Sequence, residues 1–156
     1  GNIHITTDSL FAEKAKVYIV KGDDITTTSQ SLYGYLFADE DGIYAVNTQS
    51  LYEKEDYFGA VTDMSSFYKI QNDELVEKFK FPFKYGPTDF IIKDGYIYVL
   101  SCVWARLDKW SLDGEYQETL CKFEQLSPHS FLSITSDGFW VADKMNSSIY
   151  AISLGG

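Results

Sequence analysis

Two side chains of this sequence are suited to acid–base or metal chemistry near neutral pH, His4 and His129, its only histidines. Neither stands in a metal-ligand spacing such as H-x-x-x-H, and the repeat pattern described below places them in different repeats. Ser130 directly follows His129, but adjacency in sequence does not align a nucleophile with its base. We therefore predict no catalytic residue and interpret His129 as a structural or solvent-facing residue within reach of a binding surface.

Acidic residues offer a second possible chemistry. Asp39, Glu40 and Asp41 precede Gly42, but this segment lacks the alternating oxygen ligands of a calcium loop. The segment 21–24, Lys-Gly-Asp-Asp, is typical of a hairpin turn and not of a phosphate-binding loop. We expect neither a bound metal nor any other cofactor.

The net charge of −10 and the isoelectric point near 4.5 limit the possible partners. Nucleic acids and anionic membrane surfaces attract clustered Lys and Arg, so both are excluded as partners. No apolar run approaches the ~18 residues of a membrane span. The acidic charge favours a basic or neutral partner. An extracellular or periplasmic location is favoured, although the sequence does not fix the compartment.

The two cysteines, Cys102 and Cys121, fall on the second and fourth strands of one predicted sheet. Two strand spacings of ~4.8 Å exceed the ~7 Å Cα separation that a disulfide can span. We therefore predict two free thiols.

An Asp-Gly turn followed by an apolar or aromatic strand occurs three times, at Gly42, Gly95 and Gly138. Residues 1–5 read as the same part of a fourth copy. After each turn come an apolar strand, a short loop and a second strand that closes in another tight turn. Gly95 and Gly138 are 43 positions apart, a spacing typical of repeats of four short strands.

Aligning these turns predicts four strands per repeat, a to d, with the polar–apolar alternation of half-buried strands. Strand a is predicted at 32–38, 89–93 and 131–135, strand b at 43–47, 96–101 and 139–142, and strand d at 75–81 and 115–123. Four antiparallel strands per repeat of this length are the pattern of a β-propeller blade.

Two segments that carry this pattern, 87–100 and 136–149, resemble the blade core of NHL-type and related six-bladed β-propellers. The resemblance covers nearly the whole chain and is strongest over residues 86–156. It implies a fold but not an activity.

The predicted fold is all-β, with β-propeller-type blades of four antiparallel strands and about three and a half blades. The chain is expected to be a single repeat array over 1–156, comprising a partial blade (1–31), a blade with a long insertion (32–82), a complete blade (83–126) and a second partial blade (127–156). We expect either that these residues are part of a longer propeller or that chains associate as a homo-oligomer and complete each other's blades.

The best candidate for binding is the b–c connection of the second repeat, which is enlarged over residues 48–65 and carries Tyr52, Tyr57 and Phe58. Long loops on rigid scaffolds often hold binding sites. The blade pattern places three further residues on the same face, Tyr85, Trp104 and His129. Exposed aromatic side chains with polar neighbours suit a sugar ring or a protein partner.

Three functions remain open. The first is a noncatalytic binding or scaffold module for a protein or glycan. The second is implied by related propellers, some of which are calcium-dependent lactonases or sugar hydrolases that hold calcium in a central channel. At the corresponding entries to strand a, near Tyr33, Asp89 and His129, only Asp89 is a plausible calcium ligand. The third is a structural array without a site of its own.

Overall fold

A computed structural model describes residues 3–5, 15–32, 34–47 and 65–153. The strands of this part, in chain order, are β1 (Ile3–Ile5), β2 (Ala15–Lys21), β3 (Asp24–Leu32), β4 (Gly34–Ala38), β5 (Ile43–Asn47), β6 (Ser66–Gln71), β7 (Glu74–Lys80), β8 (Pro87–Lys93), β9 (Tyr96–Ser101), β10 (Arg106–Ser111), β11 (Tyr116–Lys122), β12 (Ser130–Ile134), β13 (Gly138–Asp143) and β14 (Ser148–Ser153). The described residues contain no helix, and hence none that is long and apolar enough to span a membrane.

The strands form four antiparallel sheets in which neighbours in sequence are neighbours in space. Sheet I is β1-β2-β3, sheet II is β4-β5-β6-β7, sheet III is β8-β9-β10-β11 and sheet IV is β12-β13-β14. This confirms the all-β, blade-type architecture. The predicted strand start at Leu32 is wrong, because Leu32 ends β3 and does not begin the next strand. Several other predicted ends differ from the observed ones by one or two residues.

The Asp-Gly turns are of two kinds. Asp94 and Gly95 form a two-residue hairpin turn with φ of 51° and 77°, a conformation that Asp tolerates and Gly favours. Gly42 and Gly138 instead close four-residue turns, in which their carbonyl groups accept the N–H groups of Asp39 and Thr135. Aligning the three glycines was nevertheless wrong by one residue in the middle copy. Ile97, two positions after Gly95, packs against the preceding sheet, whereas after Gly42 and Gly138 the residues three positions on, Ala45 and Val141, do so. The predicted hairpin at 21–24 is confirmed by the pairing of Lys21 with Asp24.

The sheets stack face to face and bury their apolar side chains between them. We call the face that a sheet turns toward the next sheet its forward face, and the opposite one its backward face. Sheet I meets sheet II through Val17 against Ala45 and Leu75. Sheet II meets sheet III through Tyr44, Val46 and Phe67 against Phe90, Ile97 and Val99. Sheet III meets sheet IV through Ile91, Tyr98 and Leu107 against Leu132, Phe139 and Val141.

The two cysteines are free, as predicted. Cys102 is buried in the interface between sheets III and IV, and burial raises the pKa of its thiol to about 12. Cys121 lies on β11 and is partly exposed. Both side chains therefore act as packed thiols.

Candidate functional site

The predicted binding residues fall into two groups. Tyr52, Tyr57 and Phe58 lie outside the described residues. Tyr85, Trp104 and His129 lie in connections between strands, namely β7–β8, β9–β10 and β11–β12. Because consecutive strands alternate in direction, these three connections are at the same end of the sheets, which we call the Trp104 edge.

The expectation that Tyr85 is an exposed aromatic is wrong, because its side chain is only 1% exposed. Its hydroxyl donates a 2.7 Å hydrogen bond to Asp108 Oδ2 and accepts a 3.1 Å bond from Trp110 Nε1. Burial and the neighbouring Asp108 carboxylate raise the pKa of Tyr85 far above its usual value, so the hydroxyl stays protonated and donates. The blade pattern located the connection correctly, but the need to satisfy Asp108 draws the ring inward.

Asp108 is fully buried and organises the polar groups beneath this edge. Besides the Tyr85 hydroxyl it accepts hydrogen bonds from Arg106 Nε at 2.8 Å and from Thr119 Oγ1 at 2.7 Å. A buried carboxylate is tolerated only when it is paired and hydrogen-bonded, and both conditions are met. The Asp108 carboxylate thereby neutralises the charge of Arg106.

Trp104 is 38% exposed and rests on this network. Its ring meets the Tyr85 ring edge to face at 5.0 Å, and the Arg106 guanidinium stacks over it at 4.5 Å. Its backbone N–H donates to Ser101 Oγ, while Ser101 itself donates to the carbonyl of Tyr85. The indole is therefore held from its backbone and from two sides of its ring.

Arg106 and Tyr116 belong to the same assembly and were missed in the sequence. The Arg106 guanidinium lies 5.6 Å from the centre of the Tyr116 ring, which is 48% exposed. The side chain of Arg106 bonds Asp108 through Nε. A signal for this assembly existed, since Arg106, Asp108 and Trp110 alternate along β10 and must share one face of the sheet.

His129 is partly buried and joins two connections through its backbone. Its N–H donates to Ser127 Oγ at 3.2 Å, and its carbonyl accepts the Lys144 N–H at 3.0 Å. Beside it, buried Asp143 accepts hydrogen bonds from both the backbone and the hydroxyl of Ser127. Burial acts to raise the pKa of Asp143, but its bonds from Ser127 and Asn146 together hold that pKa below the ordinary value.

Asp89, the plausible calcium ligand, serves two strands with its two oxygens. Oδ1 accepts the N–H of Phe90 at 2.8 Å, and Oδ2 accepts the N–H of Leu132 at 2.7 Å. Within the described ranges, no group of three or more His, Cys, Asp or Glu side chains is placed to hold a metal ion. The acidic residue singled out by position thus lies in an inter-sheet contact and not in a ligand cluster.

No family model matches this chain, including one for the NHL type, and no curated protein matches it. Among solved structures it is similar to the acylaminoacyl peptidase of Pyrococcus horikoshii in its orthorhombic crystal form, with a TM-score of 0.49 and 11% identity. The alignment covers 99% of this chain but only 26% of that one, so the chain spans about a quarter of the length of that protein. The four antiparallel sheets establish the blade-type β fold of this chain.

Proposed function

We propose that this chain is a noncatalytic β-propeller module that binds a protein or a glycan through the Trp104 edge. The observation that carries the proposal is a half-exposed indole on a rigid, buried support. Trp104 is 38% exposed, whereas Tyr85 and Asp108 beneath it are 1% and 0% exposed. Aromatic side chains fixed before binding lose little conformational entropy when a ligand stacks on them.

The local electrostatics support an uncharged or basic ligand surface. The Arg106 charge is balanced by Asp108 at 2.8 Å, so the surface formed by Trp104, Arg106 and Tyr116 is close to neutral. The chain as a whole carries a net charge of −10, which disfavours an acidic partner at longer range. The stacking surface of Trp104 and Tyr116 would then supply most of the contact area.

The proposal extends to the remaining candidates. The described strands β5 and β6, which flank the enlarged connection 48–65 with its Tyr52, Tyr57 and Phe58 in the sequence, adjoin it at the end of sheet II that corresponds to the Trp104 end of sheet III. We include these residues and His129 in the binding edge. We also infer that the chain is related to NHL-type and similar six-bladed β-propellers, on the strength of the likeness of residues 87–100 and 136–149 to such blade cores.

The experiment is a binding screen of the labelled chain on an array of neutral and acidic glycans and on a panel of neutral and basic peptides. Each positive probe is then titrated against Trp104→Ala, for which we expect at least about tenfold weaker binding, as for a central aromatic contact. The matched control is Trp140→Ala, since Trp140 is another exposed tryptophan, on a different surface.

Binding that survives Trp104→Ala unchanged, or that is lost only in Trp140→Ala, would overturn the proposal. Hydrolysis of a lactone panel in the presence of calcium chloride, abolished in Asp89→Ala, would instead favour the lactonase function that related propellers suggest.

A further inference from the structure

The forward face of sheet IV exposes large apolar side chains. Trp140 on β13 is 47% exposed and Ile149 on β14 is 74% exposed. The register aligns Ser133, Trp140 and Ala151 in one row across the sheet, and Phe131, Ala142 and Ile149 in the next. Neither row contains a charged residue, and exposed apolar patches of this kind mark interaction surfaces.

The position that Trp140 occupies in sheet IV is buried in sheets II and III. Tyr98 pairs with Ile91 and Lys109 in sheet III, as Trp140 pairs with Ser133 and Ala151 in sheet IV. Tyr98 is nevertheless only 7% exposed, because Phe139 of sheet IV packs against it at 4.8 Å. Tyr44, at the corresponding position of sheet II, is 5% exposed. A forward face of this fold is therefore covered by the backward face of another sheet.

One backward face is also open, that of sheet I. Val17 on β2 is buried against sheet II, and Ile19 on the same face of the strand is buried as well, so Tyr18 and Val20 point the other way. Tyr18 is 38% exposed, and Ile25, which pairs with Val20, is 67% exposed. Within the described residues, no sheet packs on this side.

We propose that the forward face of sheet IV binds the backward face of sheet I of a second copy of this chain. The contact would repeat, between copies, the forward-to-backward packing that joins sheets I to II, II to III and III to IV within one copy. A shallow depression of about 450 Å³ beside Ile149 offers room for a side chain of the size of Tyr18. The two surfaces differ, so the association is head to tail.

Head-to-tail association makes a prediction that a symmetric contact does not. Trp140→Glu disrupts the surface on sheet IV, and Tyr18→Glu disrupts the surface on sheet I. Each variant alone should self-associate with a dissociation constant at least about a hundredfold larger than that of the wild type. An equimolar mixture of the two variants retains one intact surface of each kind. It should form a heterodimer and nothing larger, whereas the wild-type chain forms dimers or larger assemblies.

Sedimentation velocity over a range of protein concentrations measures all four samples. Phe83→Glu, which alters a 51%-exposed aromatic outside both surfaces, is the control and should associate like the wild type. If circular dichroism shows that a variant is unfolded, Ile149→Lys replaces Trp140→Glu and Ile25→Lys replaces Tyr18→Glu. Each isoleucine is more exposed than the aromatic residue of the same surface.

A wild-type chain that stays monomeric at every concentration overturns the proposal. Loss of association in Trp140→Glu but not in Tyr18→Glu also overturns it, since that result indicates a symmetric contact between two copies of sheet IV. The inference does not rest on the binding function proposed for the Trp104 edge.

Discussion

The Oδ2 atom of Asp89 in β8 accepts a 2.7 Å hydrogen bond from the backbone N–H of Leu132 in β12. A second polar contact between the first strands of sheets III and IV is the 2.9 Å hydrogen bond between Thr88 Oγ1 and Ser130 Oγ. Apolar packing joins sheets without fixing their relative position along the strand, because it is not directional. These two hydrogen bonds are directional and therefore fix the position of sheet IV relative to sheet III along the strands.

The pH dependence of stability should report on Asp89. Burial raises its pKa to about 6, against 3.8 for an unperturbed aspartate, although the N–H groups of Leu132 and Phe90 act in the opposite direction. The folded chain thus holds this proton more tightly than the unfolded chain does. The contribution of Asp89 to the free energy of unfolding is complete below pH 3.8 and is lost as the pH rises through about 6. The expected loss is roughly 3 kcal/mol.

Urea unfolding of the wild type and of Asp89→Asn, from about pH 4 to about pH 7, measures this loss. The amide of Asn cannot ionise, so the wild type should lose stability relative to the variant across the range. A difference between the two proteins that stays constant with pH would contradict the assignment.

Tyr85→Phe should destabilise the chain by about 1–3 kcal/mol, because it leaves buried Asp108 Oδ2 and Trp110 Nε1 each without one hydrogen-bond partner. Tyr116→Phe is the matched control, since it also removes a hydroxyl that bonds a side chain, Thr119, but at the exposed surface. We expect a change below about 0.5 kcal/mol for this control. Equal effects in denaturant unfolding would show that the buried network is not what stabilises the edge.

Gly138→Ala should be more damaging than Gly95→Ala. A Cβ atom at Gly138 would lie 2.0 Å from the carbonyl oxygen of Ile152 on the paired strand, so the β13–β14 pairing must shift, at a cost of about 1–3 kcal/mol. At Gly95 nothing lies within 4 Å, and only its φ of 77° opposes alanine, by about 1 kcal/mol. Thermal unfolding of both variants checks this order, and the reverse order would refute it.

Ala105→Gly should leave the chain as stable as the wild type or more stable by up to about 1 kcal/mol. Ala105 has φ of 50° in the β9–β10 turn, where a Cβ atom is strained and glycine is not. The gain is partly offset by the greater freedom of glycine in the unfolded chain. Ala142→Gly, within β13, lacks this strain and should cost about 0.5–1 kcal/mol. A similar loss in both variants would mean that the turn is not strained.

Much of the fold could be predicted because its signals are local. Strand β5 and strand β9 have the bounds expected from alternation, since side chains on a strand alternate between two faces whatever lies beyond them. The turn at Asp94 was predicted with its observed length, because the predicted strands 89–93 and 96–101 leave only Asp94 and Gly95 between them. The turn that ends at Gly138 was predicted one residue too short, because Thr135 belongs to the turn and not to β12.

The candidate site was less accessible to sequence reasoning. Trp104 was found because it lies in a connection, and Arg106 was missed because it lies inside a strand. Tyr85 was found for the same reason as Trp104, but its expected exposure was wrong. Whether an aromatic in a turn faces solvent or the interior depends on a partner from another strand, here Asp108, which is 23 positions away.

By itself, then, the sequence determined the strands, their grouping into blades and the turns between them, because strand periodicity and turn conformation are properties of adjacent residues. Only the tertiary structure decided which aromatic side chains are covered. Tyr98 and Trp140 occupy the same position of consecutive sheets, yet they are 7% and 47% exposed. The difference arises because a sheet packs on the first and, among the described residues, none packs on the second, and no local pattern contains that information.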